Sequence, residues 1–287
     1  MKKRAYCIFD SLFDGEKSVG ALRIYLPTKI GYINFNIGHS VDKEIVCDMW
    51  RMTFAYACDD DFKNAYPLNP SAEWDMAVRI KDRDDFIGGQ LHGDEIYTGM
   101  KLFVDGAEKD LCSLTELTAF DALIMQVESM GYDPKDHKTE ALKHYKEYTV
   151  TADGISTEQR VEWLNDYELS SCYLAMMPPL KTYTDSYYTD ADTTVRRITN
   201  SNFRLENRRS ATLFGEESKL LFRMSVPKYP KYDTGNCFLL SDNGGRPYNK
   251  MYFPVCTSAC VKNGEVWESR TEYIIRRGES VFGKLDM

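Results

Sequence analysis

Tyr148-Thr-Val-Thr-Ala-Asp-Gly154 decides the fold. Alternation of large β-formers and threonine over four residues is the period of a strand with one covered face, and Asp153-Gly154 supplies the positive φ angles of a tight hairpin turn. The same arrangement recurs outward from this point. Leu22-Arg-Ile-Tyr-Leu26, Ile33-Asn-Phe-Asn-Ile37, Met76-Ala-Val-Arg-Ile80, Tyr97 to Val104, Leu220 to Val226 and Tyr273 to Ile275 are short, near period two and rich in Val, Ile, Phe and Tyr. Asp105-Gly106, Asp242-Asn-Gly-Gly245 and Asn263-Gly264 punctuate them. Strands and turns at this spacing predict an all-β protein, a β-sandwich of jelly-roll type.

The chain has 287 residues, enough for one large sandwich, and a single domain over residues 1–287 is expected. One helical excursion is predicted near residues 114–145. Leu114 to Met130 has apolar positions at helical spacing with Gly131 as a cap, and Lys138 to Tyr145 would be a second short helix. Tyr183 to Asp192 has few aliphatic anchors and is expected as an exposed loop. Asp185, Asp190 and Asp192 lack the spacing of a calcium loop.

Composition removes several function classes. The chain is 43% hydrophobic and 28% charged, which argues against disorder. Acidic residues exceed basic ones by 44 to 36, so a broad nucleic-acid footprint is not expected. No apolar run approaches the ~18 residues of a membrane helix, and no membrane insertion is expected. The apolar stretch near the N-terminus is cut by Asp10 and Asp14, unlike a signal peptide. The eight cysteines form no CxxC pair, which gives no support for a zinc or dithiol redox motif. No metal and no cofactor is called for. Phosphate-loop, dinucleotide and nucleophile-elbow patterns are absent.

Aromatic content is high, with 19 Tyr, 14 Phe and 4 Trp. Such rings serve half-buried sheet faces and carbohydrate-binding clefts alike. The segment with the most chemistry is Asp85-Phe-Ile-Gly-Gly-Gln-Leu-His-Gly-Asp-Glu95. If extended, it places Gln90, His92 and Asp94 on one face. An imidazole can act as a base near neutral pH, and an amide can hold a carboxylate or developing enolate. Tyr248, Lys250 and Tyr252 share a face if their segment is a strand, which sets a cation beside two phenols. Trp163 could stack on a sugar, and Arg196, Arg197, Arg204, Arg208 and Arg209 form a basic cluster. Paired carboxylates for glycoside hydrolysis are not evident, although Asp166 and Glu168 are two apart.

Gln90-x-His92, with Arg270-Thr-Glu272 and the tyrosines of Tyr248-Asn-Lys-Met-Tyr252, resembles the alginate lyases of the concanavalin A-like jelly-roll class. The likeness covers three short patches, and here Arg-Thr-Glu follows Gln-x-His where in that family it precedes it. It implies β-elimination on a uronate-containing polysaccharide. His92 would be the base, Gln90 the carboxylate neutraliser and Tyr248 or Tyr252 the acid. Lys250, Arg270, Asp94 and Trp163 would line the substrate. The alternative is a non-catalytic glycan-binding or adhesin module on the same fold. Either reading implies an extracellular or virion-associated location.

Overall fold

Alternation along Ala122–Tyr132 sets the pattern of the whole molecule: Leu123, Met125 and Val127 are buried, while Ile124, Gln126 and Glu128 face outward. A strand so patterned must cover one face, and here the cover is a second sheet. The computed structural model describes residues 3–11, 18–63, 65–70, 74–89, 92–206, 208–230 and 236–278. Among them the chain is an all-β sandwich of a 16-stranded and a 7-stranded sheet.

The larger sheet runs, in spatial order, through strands Thr118–Phe120, Ala5–Asp10, Ser18–Pro27, Tyr32–Asp42, Cys47–Cys58, Glu95–Val104, Ala122–Tyr132, Glu140–Thr151, Gly154–Trp163, Val266–Arg277, Leu220–Lys228, Ser210–Gly215, Ser186–Thr189 and Arg196–Arg197. Sequence neighbours are mostly spatial neighbours, joined by hairpins. The exception is the seam between Cys47–Cys58 and Glu95–Val104. That pair is parallel and rests on two registered residue pairs, Cys47 with Glu95 and Asp48 with Ile96. The smaller sheet runs Asn202–Glu206, Asn236–Leu240, Lys250–Cys256, Tyr167–Met177, Ala77–Ile80 and Ile87–Gly88.

The Tyr148 segment behaves as its alternation predicts. Glu140–Thr151 pairs with Gly154–Trp163 in unbroken register around the Asp153-Gly154 turn. Tyr148 and Val150 are fully buried. Trp74 sits between the sheets, edge-on to Phe35 at 6.1 Å and to Tyr273 at 5.6 Å. Its indole N–H donates to the Thr53 carbonyl at 2.8 Å, which removes the cost of burying it.

The helical excursion near 114–145 is not formed. A three-residue 3-10 turn, Leu111–Ser113, is all the helix there, and Thr118–Phe120, Ala122–Tyr132 and Glu140–Thr151 are strands. Leu117, Phe120, Ile124 and Val127 are at helical spacing, but Leu123, Met125 and Val127 alternate with period two, and tertiary partners on both sides select the strand. Asp105 adds to this by accepting from the Asp121 and Ala122 N–H groups at 2.8 and 2.9 Å. Gly131 is no cap. A Cβ there would lie 2.8 Å from both Ile87 Cγ2 and Leu142 Cδ1, so glycine permits close approach of the two sheets.

The stretch from Tyr183 is also more ordered than a solvated loop. Ser186–Thr189 is a strand with Ser186, Tyr187 and Thr189 buried. Asp185 pairs with Arg197 at 2.8 Å and Asp192 with Arg196 at 2.6 Å. Among the described residues no helix is long and apolar enough to cross a membrane.

Candidate functional site on the smaller sheet

The glycine-flanked segment is not an extended strand. Gly88, Gly89 and Asp94 all have positive φ, at 77°, 74° and 55°. His92 and Asp94 consequently part company. The His92 Nδ1 pairs with the Asp85 carboxylate, and its ring packs on Phe86 with centroids 4.7 Å apart. Asp94 is buried and binds His137 Nδ1 at 2.6 Å, while its backbone bridges Ile45 and Tyr132. It anchors the Asp133–Lys138 turn and does not line a cleft. Burial pushes the Asp94 carboxyl up, and His137 opposes that rise. Gln90 lies outside the described residues.

Gly93 explains how this segment is held. A Cβ at residue 93 would fall 1.5 Å from the Ile45 carbonyl oxygen, so only glycine allows the two segments to touch. From there Glu95 enters the core. Its Oε1 accepts from Ser129 Oγ at 2.5 Å and lies 3.1 Å from His144 Nδ1 and 3.9 Å from Lys146 Nζ. Burial pushes the Glu95 carboxyl up, but Lys146 and His144 more than reverse this and hold it well below its ordinary 4.5.

The sign follows from linkage. A carboxyl depressed in the folded state contributes stability above its unfolded value, and that contribution falls away as pH drops below about 4.5. The expected result is a melting temperature that falls by about 5 °C or more between pH 5 and pH 3. In Glu95→Gln the component due to this group should vanish; an unchanged acid slope in that variant would rule Glu95 out as its source.

Outward from His92, five rings form one row across the smaller sheet. Phe86 stacks on Tyr173 at 5.5 Å, Tyr173 meets Tyr252 edge-on at 5.1 Å, and Tyr252 stacks on Phe238 at 5.1 Å with 7° between planes. The four rings and His92 are half-buried. Strand register causes the row: Phe238 and Tyr252 are directly paired, and an irregularity at Tyr173 turns that ring toward them. Three cations lie over these rings. Arg79 is 5.5 Å from the Phe86 centroid, Lys250 is 5.9 Å from Tyr173, and Arg204 is 5.8 Å from Phe238. Burial raises the Tyr252 hydroxyl to about 12, so it stays protonated at neutral pH.

Thus His92, Lys250, Tyr252 and Arg204 belong to one surface, while Asp94, Tyr248, Arg270 and Trp163 lie elsewhere. Tyr248 is buried and its hydroxyl accepts from Arg246 at 2.7 Å. Arg270 is on the outer face of the larger sheet, beside Glu272 at 3.0 Å. Trp163 is wholly buried against Trp267, centroids 5.3 Å apart, and offers no face to a sugar. Asp166 and Glu168 pair with Lys262 and Lys81. Phe86, Tyr173, Phe238 and Arg79 were not singled out. Phe86 sits within the glycine-flanked segment, but only strand order brings Tyr173 and Phe238 to it.

A cavity of about 560 Å³ opens on the larger sheet beside Phe9, His39, Trp50 and Tyr97. His39 stacks on Trp50 at 4.8 Å and covers it, so this cavity presents no free indole face.

The architecture and this surface define the class: an all-β sandwich with an aromatic and cationic face on its smaller sheet. No family model matches the chain, and no curated protein matches it. Among solved structures it is similar to the galactosidase domain of the α-galactosidase-sucrose kinase AgaSK, at TM-score 0.49 and 9% identity over 92% of this chain and 41% of that one. It is also similar to a 4-α-glucanotransferase from Thermococcus litoralis, at 0.45 and 8% over 95% and 40%. A putative aldose 1-epimerase from Escherichia coli K12 matches at 0.40 and 11% over 88% and 99%. The chain spans about two fifths of the first two. At these scores and identities the likeness carries no argument about activity.

Proposed function

We propose that the outer face of the smaller sheet binds an acidic polysaccharide. The observation that supports this is the row His92, Phe86, Tyr173, Tyr252 and Phe238 with Arg79, Lys250 and Arg204 set along it. Half-exposed rings offer apolar contact to the C–H faces of sugars, and cations between them suit carboxylate groups. A row in place of a deep pocket favours a chain over a single sugar.

The finer reading is β-elimination at the His92 end. Asp85 orients that imidazole as a base would need to be oriented. Elimination also needs an acid at the same bond. Tyr252 stays protonated but is separated from His92 by the rings of Phe86 and Tyr173, and Tyr248 is buried. Binding without cleavage is therefore the better supported reading.

Incubation with a panel of uronate and neutral polysaccharides separates the two. Uronate chains are expected to bind, with affinity falling about tenfold in Tyr252→Ala and again in Lys250→Ala. No ultraviolet absorbance from an unsaturated product is expected. Product that disappears in His92→Ala would establish the lyase instead. Binding that is absent throughout, or unchanged in Tyr252→Ala, would refute the assignment of this face.

A further inference from the structure

We propose that Cys172 and Cys256 are an oxidisable pair that closes a disulfide across the two central strands of the smaller sheet. The two residues stand directly opposite one another in the antiparallel pair Tyr167–Met177 and Lys250–Cys256. Directly opposed residues in such a pair have Cα atoms about 4.5–5.5 Å apart, inside the range a disulfide requires. Their side chains are near enough for each to shift the other's ionisation. Both belong to the hydrophobic core, and both are reduced in this structure. None of the other cysteines faces another across a strand pair among the described residues: Cys7 opposes Ile24 and Thr118, Cys58 opposes Tyr32, Cys237 opposes Leu205, and Cys260 opposes Glu168. Cys47 opposes Asp42 and Glu95.

The thiols are not equivalent. Cys172 is the more deeply buried of the two and its thiol is pushed well up, whereas its neighbour draws Cys256 down. Cys256 is also the last residue of its strand, next to exposed Thr257 and Ser258. It is the thiolate that meets an oxidant first.

With a small-molecule disulfide such as oxidised glutathione as oxidant, the Cys256 thiolate attacks one sulfur. The small disulfide bond breaks, one small thiolate leaves, and a mixed disulfide remains on Cys256. Cys172, losing its proton, then attacks Cys256 Sγ and expels the second small thiolate. Two protein thiols are oxidised, one small disulfide is reduced to two thiols, and the two protons go to those thiols. The new bond ties together the strands that carry Tyr173 and Tyr252. The inference rests on the strand register and stands whether or not that face binds a glycan.

The test uses the full chain in its folded state, incubated with oxidised or reduced glutathione. It is then quenched in acid, denatured, alkylated and mapped by peptide mass. Oxidation is expected to give one peptide pair linked through residues 172 and 256 and to raise the melting temperature by about 5 °C or more, because the bond closes a long loop. A reducing dithiol should reverse both changes. Cys172→Ser and Cys256→Ser should each abolish both, while the Cys112→Ser/Cys260→Ser double variant, which removes the exposed thiols, should retain them. The pairing is overturned if both thiols remain fully alkylated in glutathione that modifies exposed Cys112. A mixed disulfide at Cys256 that never closes overturns it too, as does a link to any other cysteine.

Discussion

Lys146→Ala is expected to lower stability by about 3–5 kcal/mol, enough to leave much of the chain unfolded at 37 °C. Lys146 is wholly inaccessible to solvent. Its ammonium donates to the Trp50 carbonyl at 3.1 Å and lies 3.9 Å from Glu95. Removing it strands a carboxylate in the core, where Ser129 and His144 alone must hold it. It also leaves the Trp50 carbonyl without its donor. Urea melts of Lys146→Ala, Glu95→Gln and the double variant give the measurement. The double variant should be less damaged than the sum of the singles, since it removes both charges together. Strict additivity would mean that the two groups do not interact.

Gly93→Ala is expected to cost about 3 kcal/mol or more and to release the segment that carries His92. The methyl group has nowhere to go. It would overlap the Ile45 carbonyl oxygen at 1.5 Å and its carbon at 2.5 Å, both backbone atoms that no side-chain rotation can move. Relief requires the 85–95 segment to lift from the 43–46 turn, which breaks the bond from the Asp94 N–H to the Ile45 carbonyl. Amide exchange at Asp94 and Glu95 should then rise well ahead of exchange in strand Glu140–Thr151. Equal protection of Asp94 and Glu95 in the variant and the parent would contradict this account.

Much of the fold was legible because strand period and turn chemistry act locally. Tyr148-Thr-Val-Thr and Asp153-Gly154 specify a hairpin wherever they occur, and the hairpin is there. Leu114 to Met130 reads as helix because Leu117, Phe120, Ile124 and Val127 recur at helical spacing, although Leu123, Met125 and Val127 alternate as in a strand. The strands on either side of it make the choice, and they are distant in sequence. The candidate surface was legible only in pieces. His92, Lys250 and Tyr252 were accessible to reasoning from residue type. Their relation through Phe86 and Tyr173 depends on the order of strands in the smaller sheet, which no local pattern encodes. Asp94 was misplaced for a backbone reason: its positive φ turns the carboxylate away from the face that an extended chain would give it.

The seam in the larger sheet divides the molecule in a way its outline does not suggest. Strands from Ala5 to Cys58 form one hydrogen-bonded block with Thr118–Phe120, and Glu95–Val104, Ala122–Tyr132 and Glu140–Thr151 belong to a second block that continues through Val266–Arg277 to Arg196–Arg197. Among the described residues, two registered residue pairs join the blocks edge to edge. The Lys146 ammonium reaches from the second block to the Trp50 carbonyl of the first, and so pins the narrowest joint in the backbone ladder. A sheet built this way has a natural line of parting. Under mechanical load or partial denaturation, the first opening should run along Cys47–Asp48 and Glu95–Ile96.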